Sequence, residues 1–172
     1  MKKLFILFIF IGFALVGCSQ KPNNEVSEAT TETVKEDWNI SPAFTITKSG
    51  SDGKDVDYVV RGIDGKLAIV DGPVMAMANN KELFHFWGGT PEKTEQLFGK
   101  KVKVIGTSKE NGEAVTAFEG SIGFPNEEII KPPHHYAESV GYLNLPSKGI
   151  WKLDAYIEDE LFGSIVIEVQ EE

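Results

Sequence analysis

Short runs of alternating apolar and polar residues, separated by turn-forming residues, fill the chain from Trp38 to its C-terminal end. Neighbouring side chains of a strand point to opposite faces, so this alternation is typical of an antiparallel sheet with one face in water. The last two runs place these side chains on the inward face: Trp151, Leu153, Ala155, Ile157, Ile165, Ile167 and Val169. We expect them to form part of a hydrophobic core.

Two dipeptides mark hairpin turns between such runs. Asp64-Gly65 follows the run 58–63 and tolerates the positive φ values that a type I′ turn needs. Asn111-Gly112 lies in the loop after the run 101–107, and the chain is expected to fold back there as well.

One short helix is predicted among the strands. Thr90 can cap it, Pro91 suits its first turn, and Gly99 can end it, so it has two turns at most. The remaining runs are 44–47, 82–87 and 136–145, which give about eight strands in all. The number and short spacing of the strands favour an all-β, antiparallel β-sandwich over a barrel.

The N-terminus has the pattern of a secretory signal. Lys2 and Lys3 precede the apolar residues 4–16, which as a helix would reach about 20 Å, well short of the roughly 30 Å hydrocarbon core of a bilayer. A signal peptide therefore fits better than a membrane-spanning helix. The next residues, Gly17 and Cys18, complete a segment, 15–18, that resembles a lipobox.

The lipobox resemblance implies a covalent lipid anchor. Diacylglycerol would be attached to the Cys18 thiol through a thioether, and a peptidase would cut between Gly17 and Cys18. A thiolate is a good nucleophile, and two acyl chains anchor a protein stably where one binds only marginally. The implied location is the outer face of the cytoplasmic membrane, with covalent diacylglycerol and no other cofactor.

The sequence after Cys18 predicts a tether followed by one domain. Residues 19–37 are rich in Asn, Ser, Thr and Glu and contain no aromatic side chain, which is typical of disorder. The predicted organisation is therefore a signal peptide at 1–17, a lipid-anchored tether at 18–37 and a β-sandwich domain at 38–172. Cys18 is the chain's one cysteine, so a packed core must supply the stability.

The charge of the chain excludes one class of partner. Without Lys2 and Lys3, 15 basic side chains remain against 26 acidic ones, a formal charge of −11. Such a chain is not expected to bind nucleic acid or an anionic lipid surface. The excess of acidic side chains either keeps the protein soluble or favours a cationic ligand or partner.

Two segments resemble known bacterial domains. Residues 145–169, LPSKGIWKLDAYIEDELFGSIVIEV, look like the terminal strand pair of immunoglobulin-like domains. Together with KELFHFWGG at 81–89, they resemble a family of small uncharacterised lipoproteins of spore-forming Gram-positive bacteria. The resemblance implies an immunoglobulin-like β-sandwich, assigns a role to Cys18 alone, and leaves Trp151 and its neighbours to hold the sheets without a disulfide.

Three histidines are weak candidates for a metal site. His134 and His135 are adjacent and could bind one ion only on an irregular backbone, which Pro132 and Pro133 would allow. His85 shares a strand face with Leu83 and Trp87, so it is either a buried histidine or part of an exposed aromatic patch. Three imidazoles with Glu127, Glu128 or Glu138 nearby would suit zinc, although the spacing does not require it.

A binding surface is the remaining candidate site. The loop 119–133 contains Phe124, Ile129 and Ile130, and loops at the ends of a sandwich commonly bind partners. Phe84, Phe86, Trp87 and Phe98 are most simply core residues, but an exposed Trp87 would belong to a docking patch. The sequence lacks a G-x-S-x-G nucleophile motif and a phosphate-binding loop, and no catalytic residue is predicted.

The function predicted from these features is a non-catalytic, lipid-anchored extracytoplasmic module that binds an unknown protein or wall component. Two alternatives stay open. One is a metal-binding or metal-dependent hydrolytic lipoprotein that uses the three histidines. The other is an inhibitor of extracellular proteases that inserts the loop 119–133 into a cleft.

Overall fold

The computed structural model describes residues 38–49, 54–125 and 133–171, and in these ranges the chain forms ten strands and one short helix. In chain order they are β1 Ala43–Ser49, β2 Asp55–Ile63, β3 Leu67–Val70, β4 Val74–Met75, β5 Asn80–Phe86, α1 Pro91–Glu95, β6 Lys101–Ser108, β7 Ala114–Ser121, β8 Ala137–Leu143, β9 Gly149–Ile157 and β10 Glu160–Gln170. No helix within the described ranges has the length and apolar character needed to cross a membrane.

The strands form two five-stranded sheets that pack face to face. Sheet 1 has the order β1-β2-β3-β5-β8, and sheet 2 has the order β4-β10-β9-β6-β7. Neighbours are antiparallel except for the parallel pair of β4 and β10. The predicted all-β sandwich with one short helix is confirmed; its immunoglobulin-like character stays a prediction. The sequence does not predict β4, because this strand has two residues and is too short to show alternation.

The core lies between the two sheets and is built from the alternating side chains that the sequence predicts. Trp151, Leu153 and Ile165 are all buried there, and Phe84 and Phe86 meet them from sheet 1. The indole N–H of Trp151 donates to the carbonyl of Ser147 at 2.9 Å, so its one polar atom is satisfied. The inward assignment of 151–157 is therefore confirmed.

The tight turns differ from the prediction. At Asp64-Gly65 the N–H of Lys66 donates to the carbonyl of Ile63 at 3.0 Å, but of the dipeptide only Gly65 has positive φ, +64°. A type I′ turn needs positive φ at both central residues, so that prediction is wrong. The type I′ pattern lies instead between β9 and β10, where Glu158 and Asp159 have φ of 50° and 68°.

The short helix begins as predicted. Thr90 is its N-cap, and its hydroxyl accepts from the N–H of Lys93 at 3.4 Å. Pro91 occupies the first turn, where its missing N–H costs nothing. The chain then leaves through Gly99, whose φ of +78° suits glycine.

The chain enters the sandwich by bridging both sheets. The N–H of Ser41 donates to Val166 of β10 at 2.9 Å, and its hydroxyl accepts from the same residue's N–H at 2.9 Å. Its carbonyl accepts from Arg61 of β2 at 2.6 Å, and the carbonyl of Pro42 accepts from Gly62 at 3.0 Å. Residues 41 and 42 therefore tie sheet 2 to sheet 1 at the point where β1 begins.

Candidate functional site

The outer face of sheet 1 is not the polar face that simple alternation predicts. Val140 and Tyr142 on β8 point away from the core and are each 59% exposed. The aromatic face is defined here by five outward residues on and next to β5 and β8: Leu83, Trp87, Tyr136, Val140 and Tyr142. By contrast, the outer face of sheet 2 carries charged residues such as Lys103 and Asp154. The two sides of the sandwich therefore present different chemistry.

His85 lies at the centre of the aromatic face and is fully buried. It pairs with Ala68 of β3 and Glu138 of β8, and its ring centroid is 5.8 Å from that of Trp87 and 5.9 Å from that of Tyr136. Its Nε2 lies 3.1 Å from a carboxylate oxygen of Glu138, but the contact is poorly aligned for a hydrogen bond. Among the described residues neither ring nitrogen has a well-aligned partner.

Glu138 joins His85 to a lysine from the other edge of the sheet. Lys48 of β1 donates a hydrogen bond to its carboxylate, and the Lys48 ammonium lies 5.1 Å from the ring centroid of Tyr58 and 5.3 Å from that of Tyr136. Burial alone would raise the pKa of Glu138, but the nearby ring of His85 and the hydrogen bond and charge of Lys48 outweigh it and hold that pKa below its usual value. Glu138 is therefore the anionic centre of this cluster.

The carboxylate of Glu138 also affects the pKa of Tyr136. Burial raises its pKa to about 12, and the negative charge of Glu138 and the neighbouring Tyr58 add to the effect. The phenol is therefore neutral at physiological pH and serves as a hydrogen-bonding and cation-facing ring.

The contact between Lys48 and Glu138 shows that the first ribbon curls over the sheet. In sheet 1, β1 and β8 are opposite edges, and in a flat five-stranded sheet they would lie about 19 Å apart. A lysine and a glutamate side chain together span only roughly 10 Å. The β1–β2 ribbon must therefore bend over the outer face of β5 and β8, which two-stranded ribbons do readily because they twist strongly.

A cavity of about 220 Å³ adjoins the aromatic face. Leu83, Tyr136, Glu138 and Val140 form one wall, and Phe98, Phe124, Pro125 and His134 are among the residues of the other. Phe124 is 78% exposed at the rim. Two other clefts, one beside Arg61 and Asp71 and one between Lys101 and Glu158, are lined with charged groups. Of these three, the cavity beside the aromatic face has the most apolar lining and so suits an apolar side chain best.

Comparison with protein families identifies the domain. A family model described as a domain of unknown function, DUF4871, matches residues 28–167. This chain belongs to the DUF4871 family. The resemblance to an uncharacterised family is thereby confirmed in its coarser form, and its restriction to spore-forming bacteria stays a prediction.

A solved structure shares the fold of this DUF4871 chain. It is the crystal structure of a candidate lipoprotein from Bacillus anthracis, which is 21% identical, with a TM-score of 0.52, over 79% of this chain and 88% of that one. At this identity the similarity shows the fold alone. The search of curated proteins found no match.

The three histidines of this DUF4871 domain do not converge in the way a zinc site needs. His134 is buried with its ring edge-on to Phe98 at 5.4 Å, whereas its neighbour His135 is exposed. Within the described ranges no group of three or more His, Cys, Asp or Glu side chains is arranged to hold a metal ion. The metal-dependent alternative therefore gains no support from these residues.

The predicted binding residues fall into two groups, one described by the structure and one outside its described residues. Trp87 is half-buried in the aromatic face and Phe124 lies at the cavity rim, so the structure brings these two to one side of the domain. Ile129 and Ile130 lie outside the described residues, as do Gly17, Cys18 and the predicted tether.

The loop and core assignments near these residues need correction. The predicted loop 119–133 starts too early, because β7 continues to Ser121 and Ile122 is a buried core residue. The assignment of Trp87 to the core is wrong as well, since its side chain lies on the face opposite to Phe84 and Phe86. Phe98 is half-buried and packs against the core, as expected.

Sequence reasoning missed Lys48 and Tyr58, which belong to the cluster around His85, and it considered Glu138 only as a possible zinc ligand near the histidines. The alternation in β8 places Glu138 on the same face as Tyr136, so the sequence indicates to which face Glu138 points. Its contact with Lys48 joins positions 90 residues apart, which no local pattern predicts.

Proposed function

We propose that this DUF4871 chain is a lipid-anchored, extracytoplasmic binding module that catalyses no reaction and docks a basic protein through the aromatic face. The supporting observation is the cluster of large, water-exposed apolar side chains on the outer face of sheet 1, next to a cavity. Exposed apolar patches of this kind mark interaction sites.

A protein partner fits this surface better than a glycan of the cell wall. The patch combines the aliphatic side chains of Leu83 and Val140 with aromatic rings, a composition typical of protein interfaces. The cavity of about 220 Å³ is large enough for one anchoring side chain of the partner. The formal charge of −11 after Cys18 would steer a basic partner toward the domain.

Two observations support a non-catalytic role: the sequence contains neither a G-x-S-x-G motif nor a phosphate-binding loop, and His85 is buried in the closed domain. His85 is the titratable group with an acidic neighbour, as a general base requires, but it is fully buried beneath Trp87, Tyr136 and Lys48. A substrate cannot reach its nitrogens in this state. We therefore interpret the Lys48–Glu138–His85 cluster as part of a binding surface.

The proposed anchor is diacylglycerol on Cys18, which would hold the domain at the outer face of the cytoplasmic membrane. The lipobox at 15–18 and the fold shared with a candidate lipoprotein support it. Trp38, where the described chain begins, lies 6.0 Å from the ammonium of Lys152 on the outer face of sheet 2. The described chain therefore begins on the side of the sandwich away from the aromatic face.

Site-specific photo-crosslinking on intact cells tests the proposal. A photoreactive amino acid replaces Tyr142 on the aromatic face in one strain and the exposed Lys103 on sheet 2 in a matched control. We expect a discrete protein adduct from position 142 and none from position 103. Adducts to wall glycan alone, equal adducts from both positions, or no adduct at 142 would overturn the proposed docking face.

A further inference from the structure

The β1–β2 ribbon covers the buried part of the aromatic face while being weakly held itself. Val60–Ile63 of β2 pair with β3, and the carbonyl of Val59 accepts from the N–H of Asp71, whereas residues 56–58 have β1 as their one neighbour among the described strands. Val56 and Tyr58 in that part are 43% and 42% exposed. Elements with few buried contacts and exposed backbone pairing open at low free-energy cost.

Two contacts fasten the free part of the ribbon to the sheet beneath. Near its base, the ring of Phe44 lies 6.3 Å from that of Trp87. At its far end, Lys48 forms an ion pair with Glu138, and its side chain is only 16% exposed. This ion pair is partly buried, so removal of one partner abolishes the contact and leaves the other charge poorly compensated.

The surface beneath the ribbon has hydrogen-bonding capacity that the closed state does not use. Both ring nitrogens of His85 are buried without a well-aligned partner among the described residues. Burial of an unsatisfied polar group disfavours the closed state, and water or a partner could satisfy it once the ribbon lifts. Among the described residues, the closed state is therefore held by the Lys48–Glu138 pair and the Phe44–Trp87 contact, and it is opposed by the unsatisfied ring nitrogens of His85.

The base of the ribbon is fixed to the sandwich. Gly62 pairs with Ala68 of β3, and its N–H donates to the carbonyl of Pro42 at 3.0 Å. The ribbon is thus pinned at Ser41 and Gly62 by hydrogen bonds, while Phe44 and Lys48 contact the sheet through their side chains.

We propose that the β1–β2 ribbon is a latch, clasped by Lys48 and Glu138, that lifts to uncover His85, Trp87 and Tyr136 as additional docking surface for the partner. The latch regulates the docking face proposed above and so rests on that function. Its opening is a property of the isolated chain and can be measured without a partner.

Hydrogen exchange and histidine acylation on the full-length protein in detergent test the latch. Lys48→Met removes the clasp and keeps the aliphatic stem, Lys48→Arg retains the charge, and Lys81→Met on the same face is the matched control. We expect Lys48→Met to speed amide exchange in β1 and in residues 55–59 by about tenfold while β9 and β10 exchange at the wild-type rate. The arginine variant and the control should match the wild type.

Acylation by diethyl pyrocarbonate reports whether the surface is uncovered. His85 should react about tenfold faster in Lys48→Met, whereas the exposed His135 serves as internal reference. If Lys48→Met fails to fold, Glu138→Gln breaks the same clasp from the other side. Unchanged reactivity of His85, or equal acceleration of exchange in β9 and β10, would overturn the latch. If the Lys48→Met effects are observed but position 142 gives no crosslink, the proposed docking function is refuted and the latch is not.

Discussion

Glu82 makes the stability of the domain fall as the pH rises. It lies on β5 on the same side as Phe84 and Phe86, and only 7% of it is exposed. Burial raises its pKa to about 7 from 4.5, although a hydrogen bond with the backbone of Leu83 acts in the opposite direction. Below about pH 4.5 the carboxyl is protonated in both the folded and the unfolded chain, so it adds no pH dependence there.

Between pH 4.5 and 7 the unfolded chain releases the proton and the folded chain keeps it, so the free energy of unfolding decreases as the pH rises. A pKa raised from 4.5 to about 7 corresponds to a loss of about 3 kcal/mol, since each pH unit contributes about 1.4 kcal/mol. Above pH 7 both states are ionised and the loss is constant. Glu82→Gln removes the ionisable group and with it this loss.

Urea denaturation at pH 4, 6 and 8, followed by tryptophan fluorescence, measures the effect. The difference in unfolding free energy between Glu82→Gln and wild type should shift in favour of the variant by about 3 kcal/mol from pH 4 to pH 8. Any packing cost of the amide is present at both pH values and cancels in this comparison. Glu160→Gln, at an exposed site, controls for the loss of one charge. A pH-independent difference, or a shift in favour of wild type, would refute the reasoning.

Three further outcomes are expected. Trp151→Phe should lower the free energy of unfolding by about 2–4 kcal/mol, because it leaves a void and deletes the bond to Ser147; a loss below 1 kcal/mol in urea melts would contradict its place in the core. At the two turns with positive φ, Asp159→Gly should stabilise the domain by about 0.5–1 kcal/mol, because glycine adopts a left-handed backbone without strain. Gly65→Ala, at φ +64°, should destabilise the domain by a similar amount for the same reason. Calorimetry that finds the opposite signs would exclude strain at these turns. Cys18→Ser should leave the precursor uncut and abolish labelling by radioactive fatty acid, and a labelled variant would contradict the anchor.

The sandwich could be predicted from the sequence because its core follows local alternation. Trp151 and Ile165 sit where a period of two puts them, and the same rule separated His85 from Phe84 and Phe86. The turn chemistry was harder, because Asp64-Gly65 tolerates several turn types. Meanwhile Glu158 and Asp159 adopt positive φ without any glycine to signal it. There the pairing of β9 with β10 decides the backbone, and tertiary context overrides local preference.

The candidate site could be predicted only in part. Trp87 and Phe124 were found because large aromatic residues in strands and loops stand out. The contact between Lys48 and Glu138 could not be predicted, because a lysine and a glutamate on separate strands resemble ordinary surface residues until the sheet bends. The burial of Glu82 could be predicted, because the alternation that places Phe84 in the core places Glu82 there as well. Its raised pKa could not, because it depends on how completely the neighbouring residues exclude water.

The bridge at Ser41 and Pro42 determines how the domain responds to mechanical load. A pull on the chain ahead of Trp38 reaches the sandwich at a residue bonded to β10 on one side and to Arg61 on the other. The tension is then divided between the two sheets before it can peel the edge strand β1 away. If the domain is held at its N-terminal end and a bound partner is pulled, the force is therefore carried by both sheets and not by β1 alone.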